Sequence, residues 1–198
     1  MPEVASDIMV TGAKIFYSDV GAALPVDTVA AGGDWGVDWT YLGYTLESLK
    51  LTYHFDVLEI MVQQSMSSIN RTRMKEDATF ETVLAEYTSG NLALALAGTT
   101  TATAAGSGQP GKEEFDVGGD YNLPIKQWGI EGSYVDEDGA LFPVRAFMYK
   151  GTAAEGGTFE WDREKPAGIP LQIRALADTS KAVGKQLLKI QRILEPAT

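Results

Sequence analysis

LKLTYHFDVLEIMVQQSMSSINRTRMKEDATFETVLAEYTSGNLALAL, residues 49–96, contains a strand, a polar elbow, a return strand and a capped helix in under fifty residues. Leu49, Leu51, Tyr53 and Phe55 alternate with Lys50, Thr52 and His54, the period of two expected of a strand with one buried face. A slip of one residue would turn that apolar set outward. Val57 to Val62 continues as extended chain after a bend near Asp56. The elbow Gln63-Gln64-Ser65-Met66-Ser67-Ser68-Ile69-Asn70-Arg71-Thr72-Arg73-Met74-Lys75 is long and hydrophilic where a two-residue turn would suffice, so it reads as an extension with something to touch. Ala78 to Leu84 returns as a strand, with Phe80 and Thr82 on one side and Thr79, Glu81 and Val83 on the other.

Thr88-Ser89-Gly90-Asn91 supplies capping oxygens ahead of Leu92 to Ala97, and Gly98 is placed to end the helix in a left-handed conformation. A helix this short needs tertiary support, so Leu92, Ala95 and Leu96 are its expected buried stripe. Thr99 to Gly111 has little apolar bulk. It reads as a mobile loop or, because structureless loops of that length are uncommon in compact domains, as a segment ordered by a partner.

Elsewhere strands dominate. Gly12 to Tyr17, Leu24 to Val29, Gly129 to Val135, Ala140 to Tyr149, Thr158 to Asp162 and Ile169 to Leu176 all read as extended, and Asp136 to Gly139 as a turn. Pro143 predicts an edge position or a bulge. Trp35, Trp39, Tyr41 and Tyr44 crowd around Gly36 and Gly43, as core or sheet-edge packing or else as a ligand platform. Residues 181–194 fit a helix through Val183, Leu187, Ile190 and Leu194, and a strand through the alternation of Leu188, Ile190 and Arg192; both stay open.

The 198 residues suit a single domain, and the absence of cysteine excludes disulfides and thiolate zinc sites. With 16 basic and 27 acidic side chains the net charge is −11, which disfavours a grip on nucleic acid or anionic lipid. The segment Asp162 to Glu195 nevertheless has seven basic and four acidic residues, an asymmetry that lets subunits pair unlike faces. No apolar run approaches the length of a membrane span and no basic-hydrophobic leader opens the chain, so a soluble protein made in the cytoplasm is expected.

Catalytic signatures are missing. His54 is the only histidine and falls on the polar face of its strand. No nucleophile elbow, phosphate loop or histidine metal helix is present. Asp136, Glu137 and Asp138 lack the spacing of a calcium loop, and adjacent Glu113 and Glu114 would point to opposite faces of a strand. The expectation is a non-enzymatic protein without cofactor or metal.

Gln63-Gln64-Ser65, Ile69 to Arg73, Ala78 to Glu86 and Asn91 to Leu96 resemble the major tail tube proteins of long-tailed bacteriophages. Gly12 to Ile15 and Trp39 to Thr45 resemble that family's early strand and aromatic-glycine turn. The resemblance implies a mainly β, sandwich or barrel-like fold over residues 1–198, with one short packed helix, an extended loop or hairpin at about 60–77 and a flexible loop at about 98–114. Lys185 to Ile193 would be its closing strand. It further implies stacked hexameric rings forming a hollow tube for DNA in the virion. Tape-measure, terminator and distal tail proteins would be partners, and no membrane would be involved. Gln63, Gln64, Ser65, Met66, Ile69, Asn70, Arg71, Arg73 and Lys75 become the subunit-interface candidates, with Arg71 and Arg73 reaching carboxylates of a neighbour. A capsid decoration or head-tail connector protein and a carbohydrate-binding module remain the competing readings.

Overall fold

The computed structural model describes residues 12–119, 122–136 and 139–194. Ten strands and one helix follow in the order β1 (Lys14–Ser18), β2 (Thr40–Tyr41), β3 (Lys50–Ile60), β4 (Asn70–Leu84), α1 (Ser89–Leu96), β5 (Thr99–Thr103), β6 (Lys112–Asp116), β7 (Lys126–Val135), β8 (Leu141–Ala153), β9 (Ile169–Ala175) and β10 (Leu188–Arg192). The main sheet is antiparallel and runs β2-β1-β7-β8-β9-β4-β3, with β10 also on β8.

β8 is the fork that makes this fold a sandwich. Its first half, Val144 to Met148, pairs with β10, while Gly151 to Ala153 pairs with β9. The two branches curl toward each other, so rings from strands that are not sheet neighbours meet: Phe80 of β4 lies edge-on to Trp128 of β7 at 5.3 Å. Around that contact a core gathers Ile15, Leu84, Met148, Ile169, Leu171 and Ile173. A second core on the opposite face of β1 and β8 stacks Phe16 on Trp35 at 4.2 Å, with Trp39 and Phe147 beside them.

Several expectations are corrected. Leu24 to Val29 is not a strand but part of a cover over the second core, its backbone carbonyls bonded by side chains instead of a ladder: Arg145 donates to Val26 and Val29. Thr158 to Asp162 forms no strand either; Phe159 packs into the main core and the chain around it finds no neighbour to pair with. Pro143 takes the expected edge position, though within a central strand. It sits in β8 opposite Ser133, where the β10 ladder has ended and only the Pro143 carbonyl still accepts from Ile193. Of the two readings left open for residues 181–194 the strand is the one found, over 188–192, inside the closing strand that the resemblance implied. Trp35 and Trp39 are buried, whereas Tyr41 and Tyr44 are exposed. The turn expected at Asp136 to Gly139 lies partly outside the described residues.

The helix forms where the capping residues placed it. Thr88 Oγ1 accepts from the Asn91 amide, but Ala97, not Gly98, takes the left-handed conformation at φ 53°. Gly98 has a different reason for being glycine. A Cβ there would run into the Phe115 ring and the Asp116 carbonyl, so it permits the helix end and β6 to approach.

Candidate assembly interface

β3 and β4 are longer than the sheet that carries them. β9 pairs with β4 only from Thr79 to Leu84, and among the described residues β3 ends the sheet with no neighbour on its outer side. The outer part of the hairpin therefore projects as a two-stranded arm, exposed almost throughout. Its register shifts between Asp56 and Val57, where Met74 is the extra residue of a bulge, close to the bend expected at Asp56.

The arm begins earlier than the polar elbow suggested. Asn70, Arg71, Arg73 and Lys75 belong to β4, and only residues 61–69 form the connection, which contains Gln63, Gln64, Ser65, Met66 and Ile69. Strand structure persists in this hydrophilic stretch because cross-strand partners hold it. Arg71 Nε lies 3.1 Å from Glu59. Arg73 donates to Glu76 at 2.6 Å and to the Tyr53 hydroxyl at 3.1 Å, with its guanidinium 4.7 Å from the centre of the Phe55 ring. Those contacts, the Glu76 hydrogen bond foremost, raise the Arg73 pKa. On the opposite face Arg174 of β9 grips Asp77 at 2.6 Å and pins the base of the arm. Both arginines expected to reach a neighbour are thus already paired within the chain.

The face pattern also differs from expectation. Tyr53 and Phe55 do share one side of β3 with Leu49 and Leu51, but only Leu49 and Leu51 pack against the core, while Tyr53 and Phe55 are 46% and 43% exposed. At the tip no residue from Met61 to Asn70 bears a charge, and Met61, Met66 and Ile69 are exposed, Met66 completely. Ser65 and Ser67 close the turn on each other through the Ser65 hydroxyl.

Thr99 to Gly111, expected as a loop, opens with the strand Thr99–Thr103, and residues 104–111 connect it to β6. β5 and β6 pair from Thr99 opposite Asp116 to Thr103 opposite Lys112. This second ribbon is separate from the main sheet and leans on α1. Of the helix candidates, Ala95 is buried while Leu92 and Leu96 are half-buried against the core. Asn91 was missed: it is buried and its Nδ2 donates to Leu42 and Glu86 carbonyls, tying the helix start to the chain before β3.

Also missed was a buried ion pair. Arg145 is fully buried, and its Nε donates to Glu131 at 2.9 Å; Glu131 also accepts from the Gly32 amide at 2.7 Å and from Trp35 Nε1 at 3.1 Å. The signal was available, since each residue is a lone charge in an apolar run and the two lie equally far from the turn between them. Their register opposite each other follows.

A cleft of about 640 Å³ opens between the aromatic face of the arm and the segment leading into β10, lined by Tyr53, Arg73, Val183, Leu187, Leu188 and Ile190. Among the described residues no group of histidine and carboxylate side chains is arranged to hold a metal, and no helix is long and apolar enough to cross a membrane. What the geometry offers is open strand edges and exposed apolar surface, which serve association. The phage tail tube protein family model matches residues 1–189. No curated protein matches the chain.

Proposed function

The chain belongs to the phage tail tube protein family, a structural component of the virion tail, and from this premise we propose that it polymerises as stacked hexameric rings around a DNA channel. The projecting β3–β4 arm is the observation that carries the reading. A two-stranded ribbon with unpaired edges and an uncharged, apolar tip is unfavourable in water and becomes favourable when neighbours cover it. A closed ring satisfies contacts in its plane, while its two unlike faces stack without limit. The tip residues Gln63 to Ile69 and the strand residues Asn70 to Lys75 then meet an adjacent subunit, with the β5–β6 ribbon as a second contact.

The protein acts without catalysis, cofactor or metal. It gathers in the host cytoplasm before joining tape-measure, terminator and distal tail proteins. Acidic side chains face the lumen and repel DNA phosphates, so the genome slides without adhering, as the net charge of −11 supports. An electropositive lumen would refute that assignment. The carbohydrate-module reading loses its main support because Trp35, Trp39 and Trp128 are buried.

Electron microscopy of concentrated protein tests the proposal. Long hollow tubes are expected; isolated rings would favour a connector, and monodisperse monomers a binding module.

A further inference from the structure

Of the six methionines in the chain, Met61, Met66 and Met74 lie on the β3–β4 arm, all exposed, whereas Met148 of β8 is 2% exposed in the core. Met66 is 101% exposed, so the rest of the chain does not shield its sulfur. It is also held there. The Ser65 amide donates to the Val62 carbonyl, the Ser65 hydroxyl closes on Ser67, and the Ile69 amide donates to Ile60 at 2.9 Å. This turn keeps Met66 at the end of the arm instead of letting it fold back. Met61, 63% exposed, follows the last residue of β3, and the stretch between Glu59 and Arg71 has no charge.

A thioether suits such a tip, because it is unbranched and polarisable and fills irregular apolar surface. The same sulfur is a point of chemical attack. The chain has no cysteine, so its thioethers are the sulfur that a peroxide meets. Hydrogen peroxide converts a thioether to a sulfoxide in one two-electron step. The sulfur lone pair attacks one peroxide oxygen, an S–O bond forms as the O–O bond breaks, and the departing hydroxide takes the proton of the transferred hydroxyl and leaves as water. Sulfur is oxidised and peroxide reduced. The product is a polar acceptor, which resists burial in an apolar contact.

We propose that Met61 and Met66 form an oxidation site at which peroxide blocks subunit addition, by turning the arm tip from an apolar plug into a polar one. The reaction belongs to the unassembled subunit, since a tip covered by a neighbour is withdrawn from the oxidant. This inference rests on the tube reading, to which it adds a chemical control of the arm.

Graded hydrogen peroxide treatment of the full chain tests it, with peptide mass spectrometry to place the added oxygen. In unassembled protein Met61 and Met66 oxidise about tenfold or more faster than Met148, and in tubes they oxidise at least about fivefold more slowly than in free subunits. Oxidised protein needs about a tenfold higher concentration to form tubes. Methionine sulfoxide reductases of both epimer classes, with dithiothreitol as the dithiol oxidised to a disulfide while the sulfoxide oxygen leaves as water, restore assembly. M61L/M66L retains an apolar tip and assembles after peroxide treatment, whereas M61Q/M66Q shows the defect without it. Unchanged assembly with both sulfoxides in place, equal oxidation rates in tubes and free subunits, or an undiminished peroxide effect in M61L/M66L overturns this inference and leaves the tube reading intact. Untreated wild-type protein that never assembles overturns the tube reading and the oxidation control with it.

Discussion

Replacing Glu131 with Gln should cost about 3–5 kcal/mol, although shape and volume are retained. The wild-type carboxylate accepts three hydrogen bonds, from the Gly32 amide, Trp35 Nε1 and Arg145 Nε. Gln offers a single oxygen, so at least one of those donors loses its acceptor, and the Arg145 guanidinium remains fully buried against only the neutral carbonyls of Val26 and Val29. An uncompensated buried charge dominates the loss; an orphaned donor alone accounts for about 1–3 kcal/mol. Against a typical domain stability of about 5–15 kcal/mol the variant loses roughly a fifth or more. E81Q is the control: its pair with Lys50 has both side chains about half exposed or more, and should change stability by less than about 1 kcal/mol. Urea unfolding followed by near-ultraviolet circular dichroism reports both, with an unchanged denaturant slope showing that only stability moved. An E131Q loss below about 1 kcal/mol would refute the claim that this pair clamps the cover over the second core.

Three further outcomes are expected. A97G should stabilise the protein by about 0.5–1 kcal/mol, raising Tm by roughly 1–3 °C in calorimetry, because Ala97 holds a left-handed backbone that glycine adopts freely. The Lys150 ammonium, helped by Ser180, lowers the Asp178 pKa, so its stabilisation is complete above the unfolded value of about 3.9 and lost as pH falls through the lower folded value. D178N should therefore lower Tm at pH 7 and flatten its decline below about pH 4, and a parallel decline in both proteins would count against the pair. Amides of Thr99 to Thr103 should exchange quickly in the monomer and slowly in the polymer; equal rates would remove the β5–β6 ribbon from the assembly contacts.

How much of this was legible in the sequence depended on whether one face of a segment is buried. β7, β8, β9 and the inner half of β4 announce themselves through apolar alternation, and α1 through its cap. The outer half of β4 does not, because both faces of Asn70 to Lys75 are solvated and the strand is maintained by Glu59 and Tyr53 across the ribbon and by Glu76 along it, contacts that periodicity cannot see. β5 hides for the same reason in a run of Thr and Ala. Leu24 to Val29 and Thr158 to Asp162 show the reverse error: apolar residues of strand-like spacing that cover a core without a neighbouring strand to pair with. The projecting hairpin was legible as a place in the chain but not in extent, since a polar elbow and a solvated two-stranded arm have the same composition.

The fork at β8 also orders events in time. The β3–β4 hairpin closes on residues near in sequence, so it can form as soon as Leu84 has left the ribosome. The body cannot follow, because β1 must wait for β7 and the cover over the second core for Arg145, 116 residues beyond Val29. For that interval a nascent chain has an arm but no finished surface to receive one. Late closure thus leaves the body as the last part of the fold to be completed during synthesis, well after its projecting hairpin.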